Sequence, residues 1–142
     1  RGVFVTLRID GQLRGCIGDV FASRPLFRAI AARAVSSAIE DPRFKPVKKK
    51  ELEKIRIEIS VLSPHREVSS PEEIELGKHG IVLSYDGRLR SLYLPQVAPE
   101  QGWNLEETLS SLSKKGGLAP DAWRSEKASF KVFTAQVFAE DE

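Results

Sequence analysis

The chain matches itself at a fixed distance. A shift of 76 residues lays Val5-Thr6-Leu7-Arg8-Ile9-Asp10-Gly11-Gln12-Leu13-Arg14 over Ile81-Val82-Leu83-Ser84-Tyr85-Asp86-Gly87-Arg88-Leu89-Arg90 without a gap. Both segments read as strand, Asp-Gly turn, strand. The same shift brings the helical pattern after Pro25 near the one after Asn104 and lays Ile55–Leu62 over Lys131–Phe138. Ile57, Ile59 and Val61 then fall on Phe133, Ala135 and Val137. Three elements in one order at one offset read as an internal duplication, with repeats over 3–64 and 79–140 of a single domain spanning 1–142. The expected fold is α+β. Duplicated hairpin–helix–strand halves would form a mixed, curved sheet packed by helices, as two tightly associated subdomains.

The helices have readable ends. Pro25 suits a first helical position. Leu26, Ile30, Ala34 and Ala38 follow at the spacing of a buried stripe, which Phe27, Ala31 and Val35 are expected to widen. Asp41-Pro42 stops this helix. In the second half Asn104 can cap, with Glu107 placed to reach back. Leu105, Leu109 and Leu112 face inward, Lys114 and Lys115 suit the negative end, and Gly116-Gly117 terminates. Short helices are expected at 49–54, at 71–76 behind a Ser70 cap, and near 120–123.

Composition excludes several classes. With 142 residues, 41% apolar and 30% charged, the chain has the make-up of a globular domain able to bury a core. No apolar run is long enough to span a bilayer. A single cysteine permits no internal disulfide and no Cys/His zinc spacing, so a reducing, cytoplasmic setting is expected. No phosphate loop, dinucleotide fingerprint or nucleophile elbow occurs, so neither a cofactor nor a metal is indicated. The net charge of +2 hides a gradient: residues 1–50 hold 11 Lys and Arg against 4 Asp and Glu. That basic half suits phosphates or an acidic partner, or simply forms solvated faces.

The one cysteine lies in Leu13-Arg14-Gly15-Cys16-Ile17-Gly18. The glycines leave backbone and thiol approachable, which points either to a reactive or ligand-contacting centre or to an inert packed thiol with close-packing glycines. A three-residue loop Ile9-Asp10-Gly11 would pair Leu7 with Leu13 and Val3 with Ile17, keeping the apolar face intact. Arg14 and Cys16 would then share the opposite face with Thr6 and Phe4, and a nearby guanidinium favours the thiolate. Of the two histidines, His65 reads as solvent-facing. His79 is a candidate base, or a histidine tied to backbone where a strand begins. Gln96, in Leu94-Pro95-Gln96-Val97, is an amide able to donate to a substrate. Asp41 is read as a helix stop in preference to an ion-pair partner, and Trp103 as a core lid or cleft wall.

At Leu-Arg-Gly-Cys-Ile-Gly the sequence resembles the AMMECR-type domain, the family of the AMME-syndrome candidate protein, whose prokaryotic members are called AmmeMemoRadiSam system protein A. Asp41-Pro42-Arg43-Phe44, the strand from Ile57 to Pro64, His79-Gly80-Ile81, Leu94-Pro95-Gln96-Val97 and Glu100-Gln101-Gly102-Trp103 carry the resemblance along the whole chain. It implies a two-part α/β fold with duplicated halves, and since family members carry a further helical segment ahead of the first strand, this sequence is expected to lack that segment. It also implies association with a Memo-like protein of the dioxygenase type and a radical S-adenosylmethionine protein. It nominates Arg14, Gly15, Cys16 and Gly18, with His79 and Gln96 beside them. The leading expectation is a cysteine-centred enzyme or small-molecule site at a cleft between the halves, with Cys16, Arg14 and His79 catalytic and Gly15, Gly18 and Gln96 binding substrate. The alternatives are a non-catalytic partner module and a nucleic-acid-binding domain using the basic first half.

Overall fold

A computed structural model describes residues 1–21 and 24–140. The chain divides into two compact units, 1–63 with 136–142, and 64–135. The α+β class is as expected. The strands are shared between two four-stranded sheets with antiparallel pairing rather than joined in one mixed sheet.

In the first unit, β1 (Val3–Ile9) pairs with β2 (Gln12–Asp19) and with β3 (Ile55–Leu62). An outer strand, Ala135–Ala139, completes the sheet beside β3. The helix α1 (Leu26–Ile39) packs on β1 and β2. Val5, Leu7 and Ile55 form the buried centre, with Ile30, Ala34, Ala38, Val47 and Ile57 against them. Each fully buried aliphatic side chain there contributes about 1.5–3 kcal/mol.

Ile30, Ala34 and Ala38 face inward as the spacing predicts, but Leu26 in the first turn is 39% exposed and the widened stripe does not form. Phe27 and Val35 are 70% and 57% exposed, and Ala31 is exposed too. The cause lies at the other end of the helix. Ser37 is buried, donates to the Val5 carbonyl at 2.7 Å and accepts from the Ile17 N–H at 2.9 Å. Bridging two paired strands fixes the rotation of α1, so its opposite side must face out. Pro25 stands just ahead of the first helical residue rather than within the helix.

The hairpin turn also differs from expectation. Ile9 pairs with Gln12, leaving a two-residue loop in which Asp10 and Gly11 both have positive φ, 50° and 77°. Register is corrected further along. Arg8 pairs with Leu13 and Leu7 with Gly15, so Arg14 is the extra residue of a bulge. The bulge returns Val5 opposite Ile17 and Thr6 opposite Cys16. Cys16 therefore lies on the Thr6 face as expected, through a bulge instead of a longer loop.

The second unit follows the same order. Strands Gly80–Tyr85 and Arg88–Tyr93 form the hairpin, and Ala128–Phe133 pairs with the first of them. Arg66–Val68 adds an outer strand. Its turn has Asp86 and Gly87 at positive φ, and its bulge falls between Leu83 and Ser84, 76 residues after the first. The helix Leu105–Lys115 has the expected Asn104–Glu107 capping box and buries Leu109 and Leu112 completely. Single helical turns occur at Lys49–Glu51, Pro71–Glu73 and Ala122–Arg124, and Ser70 caps the second. Among the described residues no helix is long and apolar enough to cross a membrane, and no cluster of His, Cys, Asp and Glu could hold a metal ion.

Candidate functional site

Local sequence explains why backbone crowds around Cys16. A Cβ at Gly15 would run into the Ser37 carbonyl oxygen, and one at Gly18 into the Val3 carbonyl and the Phe4 ring. These glycines do not leave an open frame. They let β2 lie against the end of α1 and against β1. Gly15 is buried.

The end of α1 then delivers Asp41. Its side chain is buried and accepts four hydrogen bonds: from the Cys16 N–H at 3.0 Å, the Arg43 N–H at 3.0 Å, Arg43 Nε at 3.1 Å and Arg43 Nη2 at 2.8 Å. Asp41 thus forms the ion pair that the sequence reading ranked second. The Arg43 guanidinium, backed by the N–H bonds from Cys16 and Arg43, holds the carboxyl at about 2, despite the opposing effect of burial. Arg43 Nη2 also lies 3.4 Å from the Cys16 carbonyl oxygen, while 55% of the Arg43 side chain is exposed.

The Arg14 guanidinium is taken up by Glu51. From the bulge it makes a two-pronged pair with Glu51, Nε to Oε2 at 2.9 Å and Nη2 to Oε1 at 3.2 Å. Glu51 also accepts the Lys48 N–H, and Arg14 holds its carboxyl at about 2. The Phe44 ring lies beneath both guanidinium groups, 6.0 Å from that of Arg14 and 5.4 Å from that of Arg43. In the second unit the bulge arginine, Arg90, likewise reaches the segment after its helix, donating to the Gly116 carbonyl at 2.9 Å. The bulge arginines are clamps in both units.

Cys16 is half-buried, with Sγ 3.1 Å from Thr6 Oγ1. Burial pushes the thiol up. The Thr6 hydroxyl and Arg43 pull it down, Asp41 adds to the rise, and the balance is upward. That direction favours the protonated sulfur at neutral pH.

His79 and Gln96 belong to the second unit. His79 is buried and its Nδ1 accepts the Glu75 N–H at 3.0 Å, while its backbone N–H donates to the Glu75 carbonyl at 2.9 Å. The neutral ring must then carry its proton on Nε2, and burial lowers its pKa. This is the backbone tie expected of a histidine where a strand begins. Gln96 is half-buried at the start of a short helix, Val97–Gln101, where its carbonyl accepts the Glu100 N–H. His65 is not simply solvent-facing, since its ring stacks on Phe133 at 5.1 Å. Trp103 is half-buried beside Tyr93, with ring centres 5.9 Å apart. Thr6, Ser37, Asp41, Arg43 and Glu51 are the residues around Cys16 that sequence reasoning missed or undervalued. The run Asp41-Pro42-Arg43-Phe44 was the available signal.

The fold is matched in known proteins. The AMMECR1 family model covers residues 1–138. The chain belongs to the AMMECR1 family. A protein of Methanopyrus kandleri is 47% identical over 151 aligned positions, covering 100% of this chain and 72% of its own length. One of Nanoarchaeum equitans is 42% identical, covering 99% and 81%. The crystal structure of an uncharacterised Pyrococcus horikoshii protein superposes with a TM-score of 0.92 at 39% identity, covering 99% of this chain and 73% of that one. These AMMECR1-family names state no activity.

The Asp41 shift has a consequence for acid stability. A carboxyl held below its unfolded value of 3.8 adds stability that is complete above that pH and is lost as pH falls through about 2. Discounted for the exposure of Arg43, the loss is about 1–2 kcal/mol. Urea unfolding between pH 5 and pH 2 should show it, with a shallower decline in Asp41→Asn.

Proposed function

We propose that the first unit carries a small-molecule site centred on Cys16, where the protonated thiol, the Thr6 hydroxyl and the outer side of Arg43 meet the ligand. The comparison of the two units, which we read as copies of one hairpin–helix–strand unit, supports this most. The clamping arginine recurs at the 76-residue offset, Arg14 answering to Arg90, whereas the Ser113 hydroxyl at the Ser37 position bonds within its own helix, to the Leu109 carbonyl. Thr6, Cys16, Asp41 and Arg43 do not recur, and Val82, Leu92, Gly117 and Ala119 stand in their positions. The second unit folds the same way without them, so folding alone does not require that set. One buried carboxylate holds the Cys16 backbone and the Arg43 guanidinium together, and both side chains remain reachable from solvent. A fixed cation beside neutral hydrogen-bonding groups suits a carboxylate or phosphate oxygen.

Nucleophilic catalysis needs a thiolate, and the upward-shifted sulfur favours ligand holding over attack. The probe is iodoacetamide modification of Cys16, followed by intact mass in the presence of small carboxylates and phosphate esters. The site reading expects at least one of these classes to slow modification, and Arg43→Gln to remove the protection. Absence of protection by either class overturns it.

The same neutral thiol favours a second reading, a non-catalytic module that docks the Memo-like and radical S-adenosylmethionine proteins. A Cys16→Ala chain that retains those partners and full function in the cell would favour it over the small-molecule site. For nucleic-acid binding, Arg8, Arg14, Arg33 and Arg43 of the basic first half each face a carboxylate, which leaves fewer of its 11 cations for phosphates.

A further inference from the structure

The outward side of α1 is apolar where a helix packed on a sheet is ordinarily polar. Phe27, Val35 and Ile39 are 70%, 57% and 52% exposed, and Ala31 is exposed between them. At four-residue spacing these side chains form one continuous ridge row. Ala31 makes a notch in it between two large neighbours, a shape that receives a side chain from a second helix.

The charge on this helix is the second observation. Its first turn holds no acidic residue, although the positive end of the helix dipole favours one. Instead Arg24 stands just before the helix and Arg28 within its first turn, and the Arg28 guanidinium lies over the Phe27 ring at 5.8 Å. Arg24 reaches only to 4.0 Å from Asp19, an acid that Arg33 holds at 3.1 Å. From Val20 to Ile39 the sequence has three arginines and no acidic residue. A second copy of this helix would bring like charges together at the ridge.

We propose that the outward face of α1 docks an acidic amphipathic helix of a partner protein. Its apolar row seats a side chain in the Ala31 notch between Phe27 and Val35, and its carboxylates meet Arg28, Arg24 and the α1 N-terminus. This rests on α1 alone, independently of Cys16.

The experiment is fluorescence anisotropy of the full chain with a labelled synthetic peptide of Leu/Glu heptads, beside a Leu/Lys peptide of the same apolar pattern. Micromolar binding of the acidic peptide is expected, weakening with salt and absent for the basic one. Phe27→Glu and Val35→Glu should each weaken binding roughly tenfold or more, and their exposure leaves the fold intact, checked by circular dichroism. No binding of the acidic peptide overturns the proposal, as does equal binding of both peptides. Concentration-dependent self-association through this face, or adsorption to anionic phosphatidylserine vesicles, without peptide binding would assign the face to another occupant and also overturns it.

Discussion

Gly15→Ala should lower stability by about 3 kcal/mol or more, or leave the first unit unable to fold. The added methyl group would meet the carbonyl oxygen of Ser37, a backbone atom inside α1, and not a side chain free to swing aside. Overpacking a core costs about 1–3 kcal/mol where neighbours can shift. Here the neighbour is the residue whose hydroxyl bridges Val5 and Ile17, so relief would break that bridge as well. Gly11→Ala is the control. Its Cβ meets nothing, but its φ of 77° leaves a cost of about 1 kcal/mol. Urea midpoints of the two variants should differ in that order.

Asp41→Ala should cost about 2–4 kcal/mol, measured the same way. The carboxylate satisfies the Cys16 N–H at the edge of β2 and two N–H groups of the Arg43 guanidinium. Removing a buried carboxylate strands its donors, which costs more than one net hydrogen bond. The half-exposed Arg43 can turn to water, which keeps the figure below that of a fully buried pair. Asp41→Asn should lose less, because one amide oxygen can still accept from Cys16. An alanine variant as stable as the parent would remove Asp41 from the account.

Much of the fold was legible because it rests on local chemistry. Asp-Gly sets each turn, Asn104 with Glu107 starts the third helix, and Gly116-Gly117 ends it. Alternation put Cys16 on the correct face, since the buried face fixes register whichever device restores it. The bulge at Arg14 was not legible: a two-residue turn plus a bulge and a three-residue loop satisfy the same hydrophobic pattern. The rotation of α1 was missed for a related reason. Apolar spacing marks a stripe wide enough for several rotations, and Ser37, a polar residue bonded across β1 and β2, selects one. The site was half legible. Its motif drew attention to Cys16, but the acid and the arginine that frame it lie 25 and 27 residues on. Only tertiary structure shows that Asp41 serves Cys16 as well as ending a helix. Of the two readings of the glycines, openness and close packing, the second holds; a missing side chain looks the same in sequence whether solvent or backbone fills the space.

The central claim is that Cys16 is a protonated contact held by Asp41 and flanked by Arg43, not a resting thiolate. Titration of the thiolate ultraviolet absorbance tests it most directly. The account predicts a midpoint above that of an ordinary cysteine, moving further up in Arg43→Gln and down in Asp41→Asn, as their charges require. A midpoint near neutrality, unmoved by either substitution, would contradict it.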